Sequence, residues 1–574
     1  MNREKKGWLD YLSIIAVAVA LLILVVINIC WGRHWIDSDM AAEMIFSKLL
    51  AEEGNFIASS DWYYSTEFRV LYTQLIMGPL HRILTDWQTI RVVTNVVFYI
   101  WMLASFYFVC KPLRIKTRNI WLCSLALLVP VSEAVMTHLQ MGNTYMSHVI
   151  LCFLTFGLYL RLCDREAFMP CQEVGILCET EKETEPSANA LSTKSRIKFY
   201  AIIYTILYAV LCVILGVSGV RYLLDLLVPM LLTAVVFVIR SGGFQVFRQE
   251  PSGEHFTSLL KTEQMRYFYV SVAGIVFGGI GYLANALYIS KIYPFQTYNT
   301  TNFIKVHEGV FWDRVQNALG ELLQMFGYIE NKAFLSLRGV ITILAFVMIA
   351  VLGFVWIRCI RYSGVQSLAL VEPMEQNHRR YTVWFAGINL ALHLFVFIFT
   401  TSTMVDRYYI PIAIFFLLVL AIFTEWECLA FDRVAVCLIL GACLSLAGLK
   451  TYYSFVTNDK NEARYEMAEY LVEEGYEFGY ASYWNSNIMT ELSEGALEMA
   501  NLWSMETLED FKWSSKMSSY EPKDGKVFLI AARDELVYLE EQGMLKEQEV
   551  IFENEAYVVL HFDSQAEFLA YREK

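Results

Sequence analysis

Two aspartates, Asp37 and Asp39, lie where the first long apolar segment of the chain ends and a charged segment begins. Asp39 and Glu43 are four residues apart, so a helix would place both carboxylates on one face. Asp37 and Ser38 stand where a helix N-cap would be expected. Carboxylates in such a position can take part in catalysis, or they can simply cap the helix. The spacing alone leaves both interpretations open.

The neighbouring residues favour a chemical role. Arg33 and His34 precede the aspartates, and the aromatic run 62–64 (Trp-Tyr-Tyr) follows in the next loop. The pair Asp37-x-Asp39 could also contribute to a divalent-cation site, but an oxygen-ligated cation takes about six or more ligands and the sequence shows only a few. The sequence therefore predicts no certain cofactor and leaves a divalent metal open.

The elements that must position these residues are membrane helices. Hydrophobic residues make up 56% of the 574 residues, charged residues only 18%, and the mean hydropathy is +0.42. Such a chain is far more apolar than a typical soluble protein. We predict an all-α polytopic membrane domain of about eleven transmembrane helices. They fall at residues 11–30, 88–110, 120–136, 145–162, 199–216, 222–239, 267–289, 340–357, 381–400, 410–423 and 434–449.

Basic residues predict the orientation of this membrane domain. Arg3, Lys5 and Lys6 precede the first apolar segment, and the basic run 111–118 follows the second. Because loops rich in Lys and Arg stay in the cytoplasm, the N-terminus is expected to be cytoplasmic and the first loop, 32–87, to lie outside. An odd number of spans places the C-terminal part outside as well. The expected localisation is the cell (plasma) membrane, as a multi-pass protein.

The chain divides into two predicted domains. Residues 1–455 form the transmembrane domain, and residues 456–574 form a small, acidic, extracytoplasmic α/β domain. Hydrophobic periodicity within the second domain predicts both kinds of element. Helices are expected near 462–474 and 486–493, and strands at 478–483, 526–531, 549–553 and 556–562.

Two further loops have distinct compositions. The predicted cytoplasmic loop 164–198 is polar and has no apolar periodicity, so we expect it to be disordered. The predicted outer loop 291–337 is long enough to act as a lid over a site on the outer face. The sequence contains no P-loop and no dinucleotide fingerprint, so chemistry is expected at the outer membrane face, without nucleic acid.

Two motifs carry a resemblance to a known family. Asp39 follows the first span, Gly54 lies fifteen residues further on, and Arg91 opens the second span. Near the last spans, the run 407–411 reads Arg-Tyr-Tyr-Ile-Pro. This pattern resembles the GT-C membrane glycosyltransferases, in particular the branch of protein O-mannosyltransferases and aminoarabinose transferases. Where that family commonly has Asp-Glu followed by tyrosine, this chain has Asp39-Met40 and then Glu43.

The resemblance implies a reaction and roles for named residues. The donor would be a sugar on a polyprenyl phosphate, and the acceptor an extracytoplasmic glycan, lipid or protein. Asp39 would be the base in an inverting transfer, and Asp37, Glu43 or Glu67 could take the role of the second acid. Basic side chains near the outer span ends would neutralise the leaving phosphate, for which an arginine fork is suited. The residues expected to bind donor phosphate or sugar are Arg33, His34, Arg221, Lys305, Arg407, Tyr408, His138 and Tyr145.

Three further residues are expected in or beside the same cavity, namely Asp225, Glu67 and Arg91. Asp225 lies within a predicted span, where a charged group is costly and usually marks a cavity or a pathway. Arg221 precedes Asp225 by four residues, so an intrahelical ion pair is an alternative explanation for that arginine.

A second function from another class remains open. A non-enzymatic transporter or flippase of lipid-linked sugars could use the same basic and aromatic cavity. Transporters often contain inverted repeats and broken helices. Neither is evident in the sequence, which therefore favours the glycosyltransferase.

Overall fold

The computed structural model describes residues 7–142, 144–164, 188–240, 262–296, 301–307, 309–331, 333, 335–363, 373–402, 404–426 and 430–572. The predicted loop 164–198 lies largely outside these residues, although 188–198 belong to a helix. The predicted fold class is confirmed, because a helical membrane domain is joined to a small C-terminal sheet domain.

The membrane domain and the segment that follows its first helix contain fifteen labelled helices. They are α1 Trp8–Trp31, α2 Ser38–Glu53, α3 Gln74–His81, α4 Trp87–Cys110, α5 Thr117–Leu128, α6 Glu133–Met141, α7 Met146–Leu162, α8 Ala188–Val217, α9 Leu223–Val238, α10 Glu263–Ile292, α11 Val310–Met325, α12 Leu337–Ser363, α13 Pro373–Phe399, α14 Ile410–Thr424 and α15 Ala430–Thr457.

Within the described residues, eight helices are long and apolar enough to cross a membrane, or nine if one bent pair counts as a span. The other predicted segments are helical but differ in shape. The segment 120–136 falls on α5 and α6, which are bent by 97° at a break. α7 has 17 residues, so at about 1.5 Å per residue it is shorter than a hydrocarbon core of about 30 Å. α9 is likewise shorter than the hydrocarbon core. The predicted number of eleven therefore counted apolar segments, not full-length spans.

Glycine allows a close contact between α8 and α10. A Cβ built on Gly216 of α8 would lie 1.9 Å from the carbonyl oxygen of Gly278 on α10, and one on Gly281 would lie 2.0 Å from the carbonyl oxygen of Val213. Small residues at such a crossing let the two backbones approach, as is common between membrane helices.

The C-terminal domain is a mixed sheet covered by helices. Its strands are β2 Phe478–Ser482, β3 Glu498–Leu502, β5 Val527–Ala532, β6 Val550–Glu553 and β7 Tyr557–Phe562, in the order β3-β2-β5-β7-β6. β3, β2 and β5 are parallel, whereas β7 is antiparallel to β5 and β6. The helices are α16 Glu462–Glu473, α17 Tyr483–Leu492, α18 Leu536–Glu541, α19 Met544–Glu547 and α20 Gln565–Ala570.

All four predicted strands and both predicted helices are present within a few residues of the expected positions. β3 was not predicted, because its sequence Glu-Met-Ala-Asn-Leu has no β-branched or aromatic residue and is extended through parallel pairing with β2.

The C-terminal domain is attached to the first loop by a strand pair. Trp62–Tyr63 (β1) pairs antiparallel with Ser515–Lys516 (β4). α17 packs on α2, so the sheet domain covers the segment that carries the two aspartates. The first loop and the C-terminal domain therefore lie on one side of the helical domain.

Candidate functional site

A cavity of ≈ 620 Å³ lies between the ends of the membrane helices and the C-terminal domain. Its charged lining residues come from the first loop and from the ends of distant helices, and half of its aromatic residues come from the C-terminal domain. The lining includes Asp39, Glu43, Glu67, Arg69, Arg221, Arg407, Trp62, Tyr64, Tyr72, Tyr408, Tyr483, Trp484, Trp503, Phe511 and Trp513.

Asp39 faces this cavity from the first turn of α2. Its Oδ1 accepts a hydrogen bond of 2.6 Å from the Tyr483 hydroxyl, and its Oδ2 lies 3.9 Å from Nη2 of Arg407. The Asp39 side chain is 29% exposed. A partly exposed carboxylate with one oxygen close to an arginine is accessible to a hydroxyl that enters the cavity.

Asp37 has a different role. Its Oδ1 accepts the backbone N–H of Met40 at 2.8 Å, which caps α2 as the sequence position suggests. Burial and the nearby Asp39 carboxylate raise the pKa of Asp37 to about 6. Asp37 is not among the residues that line the cavity. The helix ends at Gly54, whose φ of +77° is the left-handed conformation of a C-cap.

Four charged side chains form a continuous chain along the cavity wall. Glu43 accepts from Arg69 Nη1 at 3.0 Å, Arg69 Nε lies 3.2 Å from Glu67, and Glu67 Oε1 lies 2.8 Å from Arg221 Nε. Tyr72 and Thr73 also donate hydrogen bonds to Glu43. The sequence prediction named Glu43, Glu67 and Arg221 but missed Arg69, the residue that connects them.

Burial and neighbouring charges shift the pKa values of Glu43 and Glu67 in opposite directions. Burial raises the pKa of Glu43 to about 7, and this effect outweighs the opposing effect of Arg69. Burial would also raise the pKa of Glu67, but Arg221 and Arg69 outweigh it, so that the pKa of Glu67 is lowered. At neutral pH Glu67 is therefore charged, whereas Glu43 is near its midpoint.

Arg221 faces the cavity, and the alternative intrahelical pair with Asp225 is not observed. The Arg221 guanidinium carbon lies 5.4 Å from the ring centroid of Tyr145 and 5.5 Å from that of Tyr408. Asp225 is paired instead with two buried histidines, His148 at 2.8 Å and His393 at 2.6 Å. Asp225 does not line the main cavity.

Arg33 and His34 do not share the cavity with Asp39, contrary to the prediction. They line a separate cavity of ≈ 380 Å³, where Arg33 pairs with Glu494 at 3.1 Å and His34 lies 3.3 Å from Asp459. The physical reason is the 3₁₀ turn Gly32–Trp35, which is followed by extended Ile36 and redirects the chain before α2 begins.

Lys305, His138 and Tyr145 also lie outside the cavity lining. Lys305 is exposed in the predicted outer loop. His138 is buried on a π-helical turn, and its ring centroid lies 6.3 Å from that of Tyr145. The Tyr145 ring in turn contacts the Arg221 guanidinium. Of the described residues of the predicted lid 291–337, only Thr301 lines the cavity.

Arg91 is a buried anchor between the two domains. Its Nη2 lies 2.6 Å and 2.7 Å from the two carboxylate oxygens of Glu491 on α17, and it also donates to the Met40 carbonyl at 3.0 Å. Arg91 therefore positions α2 and α17 next to each other and does not itself reach the cavity.

Asp37 and Asp39 were also candidates for a divalent-cation site. In the part of the chain that the structure describes, no group of three or more His, Cys, Asp and Glu side chains is arranged to hold a metal ion. Asp37 caps α2, and Asp39 is committed to Tyr483 and faces a guanidinium, which disfavours a second cation. In the described residues the Asp37-x-Asp39 pair is therefore not arranged as a preformed cation site.

Known structures of membrane transferases are similar to this chain. ArnT from Cupriavidus metallidurans in the apo state has 12% identity and a TM-score of 0.48, covering 96% of this chain and 97% of that chain. ArnT bound to undecaprenyl phosphate has 13% identity and a TM-score of 0.39, with the same coverages.

A second similar protein is the archaeal oligosaccharyltransferase AglB from Archaeoglobus fulgidus, in complex with an inhibitory peptide and a dolichol-phosphate. It has 10% identity and a TM-score of 0.43, covering 91% of this chain and 70% of that chain. ArnT, an aminoarabinose transferase, and AglB are GT-C glycosyltransferases, the family that the sequence resembles. No protein-family model and no curated protein matches the chain.

Proposed function

We propose that this protein is an integral membrane glycosyltransferase that moves a sugar from a polyprenyl-phosphate donor to an extracytoplasmic acceptor with inversion. One observation carries the proposal: a partly exposed carboxylate, Asp39, lies 3.9 Å from an arginine, Arg407, in a cavity at the ends of membrane helices. Transfer from a lipid phosphate needs a base for the acceptor and a cation for the leaving group, and this pair supplies both within the width of one sugar.

The reaction is a single displacement. The acceptor hydroxyl oxygen attacks the anomeric carbon and forms the new C–O bond, while the bond from that carbon to the phosphate oxygen breaks. The electron pair leaves with the polyprenyl phosphate, and the hydroxyl proton passes to the Asp39 carboxylate. General-base help of this kind is typically worth about 10²–10⁴-fold in rate. Attack on the face opposite the phosphate inverts the anomeric configuration.

Arg407 and Arg221 are the proposed phosphate ligands. Both line the cavity, and their guanidinium carbons lie 5.9 Å and 5.5 Å from the Tyr408 ring centroid. Tyr408 precedes α14, whose Pro411 occupies the first turn, so this group stands where a helix enters the membrane. A donor with its lipid among the helices could therefore present its phosphate to both arginines, which bind paired oxygens well.

Glu43 is proposed to support the site without acting as the base. It is 8% exposed and already engaged by Arg69, Tyr72 and Thr73. Its role is to hold Arg69, which with Arg221 flanks Glu67. Two arginines and two glutamates lie on this wall, and Glu43, with its pKa raised to about 7, is only partly ionised at neutral pH. The arginine charge then exceeds the carboxylate charge, which favours an anionic leaving group.

The test uses purified full-length protein and a panel of polyprenyl-phosphate monosaccharides. We expect release of polyprenyl phosphate with formation of a glycoside of opposite anomeric configuration. Arg407→Ala and Arg221→Ala should each lower transfer by about 100-fold, the scale of losing one charged group that stabilises the transition state. Arg33→Ala is the matched control, because Arg33 lies in the separate cavity.

Three results would contradict the proposal. They are retention of the anomeric configuration, an equal loss in Arg33→Ala and Arg407→Ala, and lipid-linked sugar crossing the membrane intact without transfer. The last result would instead identify a flippase.

A further inference from the structure

Five aromatic side chains of the C-terminal domain form one side of the cavity, here called the aromatic wall. Tyr483 and Trp484 begin α17, Trp503 follows β3, and Phe511 and Trp513 precede β4. All five line the cavity that contains Asp39.

The rings of the aromatic wall touch one another. The Phe511 ring centroid lies 5.4 Å from that of Tyr483, 4.8 Å from that of Trp503 and 5.9 Å from that of Trp513. The Tyr483 centroid lies 5.2 Å from that of Trp484. The wall is therefore a continuous aromatic surface around Phe511.

Buried amides hold the backbone of this wall in place. The fully buried Asn501 donates to the Trp513 carbonyl at 3.1 Å, and Asn487 donates to the Ser514 carbonyl at 3.3 Å. The Phe511 N–H donates to the Asn501 carbonyl at 2.8 Å. The wall is thus a built surface whose shape exists before a ligand arrives, which lowers the cost of binding.

Two of the tryptophans remain open to solvent. Trp484 is 59% exposed and Trp503 is 53% exposed. A contiguous aromatic surface that stays exposed beside a cavity is a feature of binding sites.

The charge of the cavity is divided between its two sides. Its acids and arginines come from the membrane domain and its loops, at 39, 43, 67, 69, 221 and 407. The described lining residues of the C-terminal domain are the five rings with Ser482 and Ser514, and none of them is acidic or basic. A ligand on this side is therefore neutral, with apolar faces for the rings and polar edges for hydroxyl groups, a description that fits a pyranose sugar.

The aromatic wall ends at the proposed base, because the Tyr483 hydroxyl donates to Asp39 at 2.6 Å. We infer that the aromatic wall binds a neutral oligosaccharide acceptor and presents one of its hydroxyl groups to Asp39. The presentation to Asp39 rests on the proposed glycosyltransferase function, whereas binding of the oligosaccharide to the wall does not.

The experiment measures binding by calorimetry with full-length protein and short neutral oligosaccharides of mannose, glucose and galactose. At least one should bind, and Trp484→Ala and Trp503→Ala should each raise its Kd by about tenfold, the scale of losing one aromatic anchor. Trp503→Phe should recover most of the affinity because it keeps a ring. Trp312→Ala is the control, since Trp312 is 67% exposed on α11 but does not line the cavity.

The inference is overturned if no neutral oligosaccharide binds, if both wall variants bind as well as the wild type, or if Trp312→Ala is impaired equally. Tighter binding of a short peptide than of every oligosaccharide overturns it as well. Polyprenyl-phosphate binding, measured in parallel, should not change in the wall variants. If oligosaccharide binding depends on the wall but no lipid-linked donor supports transfer, the proposed function fails and the oligosaccharide site stands.

Discussion

At the scale of single residues, the site depends on neighbouring acids that have different pKa values because their burial and their charged neighbours differ. Glu67 is flanked by two arginines that lower its pKa, whereas burial raises the pKa of Glu43 to about 7 and that of Asp37 to about 6. Asp39 lines the cavity with a side chain that is 29% exposed, with the Tyr483 hydroxyl on one oxygen and Arg407 near the other. The acids thus have separate roles although they lie close together.

Glu43 gives a prediction about pH and stability. Its folded pKa is raised from 4.5 to about 7, so its stabilising contribution is complete below about pH 4.5 and is lost as the pH rises through about 7. The loss is on the order of 3 kcal/mol for a shift of this size. Glu43→Gln removes the titration, so the melting temperature of the variant relative to the wild type should increase between pH 4.5 and pH 8, with little further change above that.

Differential scanning calorimetry at several pH values tests this prediction. Glu52→Gln is a control, because Glu52 is an exposed residue on the same helix with a surface ion pair to Lys48. A difference in melting temperature between Glu43→Gln and wild type that does not change with pH would show that Glu43 does not titrate in this range.

Some of the site could be predicted from the sequence. Asp39, Arg221 and Arg407 were expected together, because charged residues at the ends of apolar segments must lie at the membrane boundary. Arg33 and His34 were misplaced, since a 3₁₀ turn follows α1 and no residue type signals the change of direction. Arg69 was overlooked, although Glu67-x-Arg69 in the aromatic loop was a usable signal.

At the scale of elements, the site requires α2 and α17 to stay together. Arg91 and Glu491 pair where both are almost completely buried, and Ser38 of α2 donates to the Tyr483 carbonyl at 2.5 Å. Removing one partner of a buried ion pair leaves an uncompensated charge and typically costs about 3–5 kcal/mol. These contacts hold the Tyr483 hydroxyl next to Asp39.

Glu491→Ala should therefore weaken the docking of α17. We expect faster hydrogen exchange in Tyr483–Leu492 and in α2, together with a strong loss of transfer activity. The double variant Arg91→Met/Glu491→Leu should recover much of the stability, because two packed apolar side chains can replace a buried ion pair. Unchanged exchange in Glu491→Ala would show that the ion pair does not hold the two helices together.

The elements themselves were largely predictable, and their exceptions have physical causes. Every predicted apolar segment lies on helical structure, because apolar runs of that length have few alternatives. The 97° bend between α5 and α6 was not expected, since Pro130 and two flanking residues were included in one apolar run. β3 was missed because its extended form depends on pairing with β2, which is tertiary information.

At the scale of the whole molecule, the cavity exists only when the membrane domain and the C-terminal domain come together. Asp39 and Tyr483 are 444 residues apart in the sequence, so local sequence patterns could not predict their contact. The first loop and the C-terminal domain lie on the same side of the helical domain. An odd number of membrane crossings, as predicted, would place them there. The outward orientation of that side remains a prediction from the basic loops.

Labelling with a membrane-impermeant maleimide tests the orientation. Glu555→Cys in the C-terminal domain should be labelled in intact cells, whereas Thr117→Cys in the basic run 111–118 should be labelled only after permeabilisation; both positions are exposed. The wild-type chain gives the background from its own cysteines; among the described ones, Cys30 and Cys437 are exposed. The reverse pattern would place the cavity in the cytoplasm.

The most direct test of the central claim compares two neighbouring aspartates. Full-length Asp39→Asn and Asp37→Asn are given a polyprenyl-phosphate sugar and an acceptor that the wild type uses, and transfer is measured. Asn caps a helix about as well as Asp, so Asp37→Asn should keep nearly wild-type activity. Asp39→Asn should bind the donor but lose about 10²–10⁴-fold in rate, because it cannot accept the proton. Full activity in Asp39→Asn, or an equal loss in both variants, would contradict the assignment of Asp39 as the base.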